Sequence, residues 1–258
     1  MIDLHCHLLP GIDDGPQDID GSLAMARRAV RAGIETVVAT PHVNSRYRND
    51  AETIDAALDR VRRALADEQI PLQVLPGAEI AVGYLAEADT SRLGELSLAG
   101  GEWLLIEPPF ATVAGGLVAT VQGLLWDGHR VVLAHPERCQ AIHRDISIVH
   151  TLAAEGVLLS LTAGSLTGRF GSQARRVALA LLEQGLAHNV TSDSHDAFNR
   201  PPSIAAEISQ AGFGDLTEWL TEEVPAAVLS GGRVPPRPQR APRRDMRARL
   251  ARALRRAS

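Results

Sequence analysis

The sequence predicts an α/β fold: a parallel barrel of alternating strands and helices with a metal-ligand site at the carboxyl ends of its strands. Three observations carry this expectation. Apolar, β-branched runs alternate with stretches of helical period, which is the pattern of βα units. The strand runs number seven, one short of the usual eight of an α/β barrel. Most of these runs end on His, Asp or Glu: His5, His7, His42, Glu79, Glu107, His135, Asp193 and His195. A barrel gathers such groups on one rim, whereas an open doubly wound sheet would gather them near one switch point.

The first strand is expected over residues 2–7 and carries His5 and His7. Residues i and i+2 of a strand face the same way, so two imidazoles aim at one point and Cys6 alternates away from them. A Gly-rich turn with Asp13 and Asp14 follows, and then a helix over 20–32. There Leu23, Ala26, Arg27 and Val30 keep the i, i+3, i+4, i+7 spacing, and Gly33 closes the helix. A second strand over 35–40 exits through Thr40-Pro41-His42, where proline fixes the backbone. After a helix over 51–67, the third strand covers 72–75 and runs on to 80, delivering Glu79, and the fourth, 103–107, ends on Glu107. A carboxylate ending such an apolar run is costly to bury without a cation. A helix over 115–127 leads to the strand 130–135, ending on His135 with Arg138 three residues beyond. A helix over 145–155, a strand over 157–161 and a helix over 172–184 precede the last strand, 188–192. That strand leads into Asp193 and His195, again at i and i+2, with Arg200 five residues later and a final helix over 203–210. Past Gly231-Gly232 the composition turns to Pro and Arg. We therefore expect a barrel over 1–232 and a basic tail over 233–258, extended to 244 because its prolines cannot continue a helix. Beyond 244, Met246, Leu250 and Leu254 recur every four residues, as in a short amphipathic helix over 245–256.

Composition narrows the classes of function. At 258 residues and 45% hydrophobic the chain can bury a large core, built from Leu, Val, Ile and Ala because aromatics are only 3%. No apolar run approaches a membrane span and no leader pattern opens the chain, so the expected location is cytoplasmic. A reduced compartment suits Cys6 and Cys139 as free thiols. Neither begins a Cys-x5-Arg loop, since Ile12 and Asp145 stand where arginine is required, so thiol-based phosphoryl transfer is excluded. There is no Gly-x-Gly-x-x-Gly and no Gly-Lys-Ser/Thr loop for a nucleotide. Lysine is absent, and the tail holds ten Arg against one Asp, so the net charge of −5 leaves residues 1–232 strongly acidic. That body offers no broad basic face for nucleic acid.

Each candidate also has a plain reading. Strand-end histidines can simply hydrogen-bond, Glu79 and Glu107 can pair with arginines, and Asp13 and Asp14 fit turn chemistry without a metal. Arg138 and Arg200 can be solvated, and His129, His143, His150 and His188 fit no strand-end pattern. Tyr47, Tyr84, Phe110 and Phe198 are candidate ring-stacking residues or packing. Taken together, the ligand-bearing strand ends point to a multinuclear metal hydrolase.

The set Met-Ile-Asp-Leu-His5-Cys-His7, Pro-Gly-Ile-Asp-Asp14-Gly, Thr-Pro-His42, Pro-Gly-Ala-Glu79, Glu107, Ala-His135-Pro-Glu-Arg138 and Ser-Asp193-Ser-His195 resembles the polymerase-and-histidinol-phosphatase (PHP) superfamily. Within it, the chain is most similar to the bacterial metal-dependent protein tyrosine phosphatases of capsule and exopolysaccharide loci. The resemblance implies a distorted seven-stranded barrel with three divalent metals, manganese before iron or zinc. It would place His5, His7, Glu79 and Asp193 on the first metal, Glu79, Glu107 and His135 on the second, and Asp14, His42 and His195 on the third. It further implies that Arg138 and Arg200 bind phosphate while a metal-bound hydroxide attacks phosphorus. The implied substrate is a phosphotyrosine protein, the cytoplasmic tail of a membrane-bound polysaccharide-assembly kinase. Histidinol-phosphate hydrolysis is the alternative enzyme activity, and a non-catalytic metal-binding regulator is the alternative class. The basic tail departs from the family pattern and would either contact anionic lipid at a membrane or remain solvated.

Overall fold

A computed structural model describes residues 1–85, 90–112 and 116–239. Among these, nine strands form: β1 (Ile2–Cys6), β2 (Thr36–Ala39), β3 (His42–Val43), β4 (Gln73–Pro76), β5 (Glu79–Ala81), β6 (Trp103–Glu107), β7 (Arg130–Ala134), β8 (Leu158–Thr162) and β9 (Ala187–Thr191). Every strand pairing is parallel, as the βα alternation requires. The strands belong to two sheets, β1-β2-β4 and β3-β5-β6-β7-β8-β9. Nine strands in two sheets thus stand where seven strands of a distorted barrel were expected.

The extra strands arise from two breaks. Pro41 has no N–H to offer a ladder, so the second expected strand stops at Ala39 and a two-residue strand, β3, begins at His42. The third expected strand divides at Gly77 into β4 and β5. There the backbone presses on β2, and a Cβ on Gly77 would lie 2.8 Å from Val38 Cγ1. At the opposite seam, β1 meets the residues after β9, where His7 N donates to Ser194 O and Asp193 N to His5 O, both at 2.9 Å.

The helices are α1 (Ile19–Arg31), α2 (Ala51–Asp67), α3 (Val82–Leu85), α4 (Leu117–Trp126), α5 (Gln140–Arg144), α6 (Ser147–Ala154), α7 (Ala163–Thr167), α8 (Gly171–Gln184), α9 (Ala205–Gln210) and α10 (Val224–Ser230). Local chemistry sets the starts of the two longest outer helices that precede β4. Asp18 caps α1 by accepting from Gly21 N, and Asp50 caps α2 by accepting from Thr53 N. Leu23, Met25, Ala26 and Ala29 of α1 are buried, as are Ile54, Leu58, Val61 and Leu65 of α2. Both helices thus seal an aliphatic layer over strands that are buried on both faces.

Residue 115, where the α4 helix was expected to start, lies outside the described residues, as does 240–258 with its expected amphipathic helix. Residues 233–239 have no regular structure and run along the body, where Trp219 Nε1 donates to Pro235 O and Arg237 Nη2 to Leu182 O. Among the described residues, no helix is long and apolar enough to cross a membrane.

Candidate metal centre

The carboxyl ends of β1, β7 and β9, with β3, β5 and the end of β6, converge on one buried cluster. His5 and His7 are fully buried, and their Nε2 atoms face each other at 3.2 Å. Glu79, also fully buried, opens β5 and projects one oxygen between them: Oε2 lies 3.3 Å from His5 Nε2, 3.4 Å from His7 Nε2 and 2.9 Å from His42 Nδ1. Its other oxygen contacts His135 Nε2 at 2.8 Å. Asp193 Oδ1 stands 3.6 Å from His5 Nε2 and 3.5 Å from His7 Nε2, while Asp14 Oδ1 is 3.4 Å from His42 Nε2 and 3.3 Å from His195 Nε2.

All nine strand-end and turn candidates therefore meet. Their donor atoms form four overlapping groups that could each hold an ion: His7, Asp14, His42 and His195; His5, His7 and Asp193; His5, Glu79 and His135; His42, Glu79 and Glu107. Glu107 groups with His42 and Glu79 here rather than with His135.

The donor chemistry fits divalent cations. Glu79 Oε2 and His42 Nδ1 are buried and only 2.9 Å apart, yet neither makes a hydrogen bond among the described residues. Buried polar atoms left without a well-formed hydrogen bond are what a coordinated ion can satisfy. Four carboxylates and five imidazoles form a mixed oxygen–nitrogen set, which suits manganese, iron or zinc. The titration behaviour agrees. Burial, with the neighbouring Glu79 carboxylate, pushes Glu107 up to about 8 against the opposing pull of His42, His7 and Arg138. Burial would also raise Glu79 and Asp193, but the His5 charge and further imidazole contacts hold both well below the usual carboxylate range. Burial and Arg138 push His135 down to about 4.

Two of these positions are conformationally unusual. His135 (φ 29°) and Asp193 (φ 48°) adopt positive φ directly after β7 and near the end of β9. Non-glycine residues rarely do so unless their surroundings over-determine them, and functional sites are where this occurs.

Asp13, which reads as a turn residue in the sequence, has a wider role. Its Oδ1 accepts from Gly15 N, closing the turn, while Oδ2 lies 2.7 Å from His7 Nδ1 and accepts from His42 N at 3.0 Å. One carboxylate thus orients two imidazole-bearing residues and fixes which nitrogen of His7 faces the cluster. Burial would lower His7, but Asp13 holds it well above its ordinary value.

Arg138 and Arg200 both reach Asp193 Oδ2, at 2.5 and 2.7 Å. Asp193 therefore turns one oxygen to the histidines and the other to two guanidinium groups. Of the ring candidates, Phe110 stacks on His135 and Tyr47 on His42, Tyr84 is partly buried against the core, and Phe198 is 84% exposed. Phe170, not anticipated from sequence, has its ring against both arginines. Cys6 is buried with Sγ 3.0 Å from Ser194 Oγ, and burial raises its thiol above the usual range.

Comparison with known proteins follows this geometry. The family described as capsular polysaccharide synthesis, CpsB/CapC, matches residues 1–213. The tyrosine-protein phosphatase YwqE of Bacillus subtilis is 40% identical over 226 residues, covering 86% of this chain and 89% of its own. The tyrosine-protein phosphatase CpsB of Streptococcus pneumoniae is 27% identical over 208 residues, covering 78% and 86%. A chain from the crystal structures of YwqE and CpsB, described as metal-dependent tyrosine phosphatases, superposes with a TM-score of 0.83 at 37% identity, over 93% of this chain and all of that one. The chain belongs to the CpsB/CapC family of capsular polysaccharide synthesis.

Proposed function

We propose that this chain is a metal-dependent protein tyrosine phosphatase, and that its substrate is the phosphotyrosine-bearing tail of a membrane-bound kinase of capsule or exopolysaccharide assembly. The observation that carries this reading is the division of Asp193 between the histidine cluster and two arginines, because it sets an anion-binding pair beside a cation-binding group. The activities named for YwqE and CpsB support it. Three divalent ions, manganese by preference, would be held by His5, His7, Glu79 and Asp193; by Glu79, Glu107 and His135; and by Asp14, His42 and His195. We also infer that the two sheets close as one distorted barrel wall, supported by the bonds joining β1 to the residues after β9 and by Glu79 N donating to Pro41 O across the Pro41 break.

When bound, such ions neutralise phosphoryl oxygens and lower the pKa of water enough to supply a nucleophile near neutral pH. The chain's own groups do the rest. Arg138 and Arg200 donate paired N–H groups to the phosphoryl oxygens and stabilise charge that grows in the transition state. Asp13 holds His7 in one tautomer. The buried thiol of Cys6 takes no part.

The test is phosphate release from a phosphotyrosyl peptide and from histidinol phosphate, side by side, with chelator-stripped protein reloaded with manganese. Preference for the peptide, lost without metal and in His5→Ala, is expected. Preference for histidinol phosphate would reassign the substrate, and inactivity on both would make the chain a metal-binding regulator.

A further inference from the structure

We propose that Phe170 is a positioning residue whose ring holds Arg138 and Arg200 side by side at the rim of the metal centre. This deepens the phosphatase reading and rests on it.

The two guanidinium groups share a single carboxylate oxygen, Asp193 Oδ2, so one negative charge faces two positive ones. Like charges at that spacing repel, and two long side chains at a solvent boundary gain rotamer entropy by separating. A counter-influence is needed, and the Phe170 ring supplies it. Its centroid lies 4.4 Å from Arg138 Cζ and 5.6 Å from Arg200 Cζ, both inside the range where a guanidinium is attracted to an aromatic face. Arg138 is flanked on a second side by Phe110, at 5.0 Å.

The chain is shaped to bring this ring in. Phe170 occupies the turn between α7 and α8, against Gly164, where a Cβ would stand 3.1 Å from Phe170 Cε2. The same Cβ would meet the Arg169 side chain first, with Nε at 2.9 Å, so glycine at 164 leaves room for both Arg169 and the ring. The pair also keeps donors in reserve: Arg200 Nε is buried without a hydrogen-bond partner among the described residues, while Arg200 Nη2 serves Asp193. A phosphoryl oxygen arriving between the arginines would satisfy that donor, and a fixed ring lowers the entropy lost when it does.

Binding of inorganic phosphate to the manganese-loaded full chain, followed by calorimetry, tests the role apart from turnover. Phe170→Tyr keeps the ring and is expected within about twofold of the parent. Phe170→Leu and Phe170→Met, two ringless residues of different shape, are expected to weaken phosphate roughly tenfold. In an Arg138→Ala background the same Leu change should cost about threefold or less, because one of the two groups that it positions is gone. Unchanged phosphate affinity in both ringless variants would overturn the proposal. So would an undiminished tenfold loss when Arg138 is absent, since the ring would then act only as packing. Peptide hydrolysis on the same samples separates the two readings: an inactive parent would sink the phosphatase assignment, while the phosphate titration would still decide the role of Phe170.

Discussion

Acid should destabilise this fold through His188, a residue outside the metal centre. His188 lies in β9, opposite the point where the β8–β9 register shifts between Leu159 and Ser160. The irregularity leaves Leu159 N without its ladder partner, and the His188 Nδ1 lone pair accepts that N–H at 3.1 Å. Protonation would destroy the acceptor. Burial accordingly pushes His188 down to about 4, only partly offset by its bond to the Leu186 carbonyl. In the unfolded chain the imidazole returns to about 6.5. The unfolded state therefore takes up a proton first as pH falls, so this contribution is whole above about pH 6.5 and drains away between there and about pH 4. Between about pH 7.5 and about pH 5 the loss comes to about 2 kcal/mol. His188→Asn puts a non-titrating oxygen near the Nδ1 position and should remove that share of the acid sensitivity. Urea unfolding of the metal-free parent and variant at the two pH values measures it, other titrating groups being common to both. If the variant loses as much stability on acidification as the parent, the linkage assigned to His188 is wrong.

Three further outcomes follow from the site and its supports. Arg138→Ala and Arg200→Ala should each lower kcat/KM on a phosphotyrosyl peptide roughly a hundredfold, and the double variant should lose less than the product, because both act on one anion. Asp13→Asn should weaken manganese binding roughly 10–100-fold in a metal titration, since it disturbs the orientation of His7 and the backbone of His42 together. Gly77→Ala should destabilise the fold by about 1–3 kcal/mol in urea unfolding, because its Cβ has no room beside Val38, with peptide KM in the folded fraction little changed.

The strand ends were legible because two signals coincide there: an apolar run fixes the strand, and a polar residue that ends it must be buried for a reason. The end of β2 before Pro41 was legible from the proline, but the two-residue strand β3 beyond it was not; nor was the break at Gly77, where apolar residues continue and only the close approach of β2 shows why one strand becomes two. Helix α10 was missed because Pro225 reads as a breaker, although α10 follows directly on a π-helical turn, Trp219–Glu223, whose backbone is already helical. The double role of Asp13 was hidden for another reason. Asp beside Gly is sufficient for a turn, and nothing local reveals that the turn folds back onto His7. The aromatic clamp was invisible as well: Phe170 is 32 residues from Arg138 and 30 from Arg200, and sequence spacing carries no such proximity.

The seam between β1 and the residues after β9 joins partners such as Cys6 and Ser194, 188 positions apart. His5 and His7 are synthesised well before Asp193 and His195, so the centre is incomplete until β9 and the residues after it have been made. An ion shared by His5, His7 and Asp193 would also be a cross-link between the two ends of the body. By analogy with a disulfide closing a loop of comparable length, such a link restricts the unfolded chain by on the order of 5 kcal/mol. Metal loading would then be the last event of maturation and a clasp on the finished fold, and metal starvation in the cell would deplete the protein itself as well as its activity.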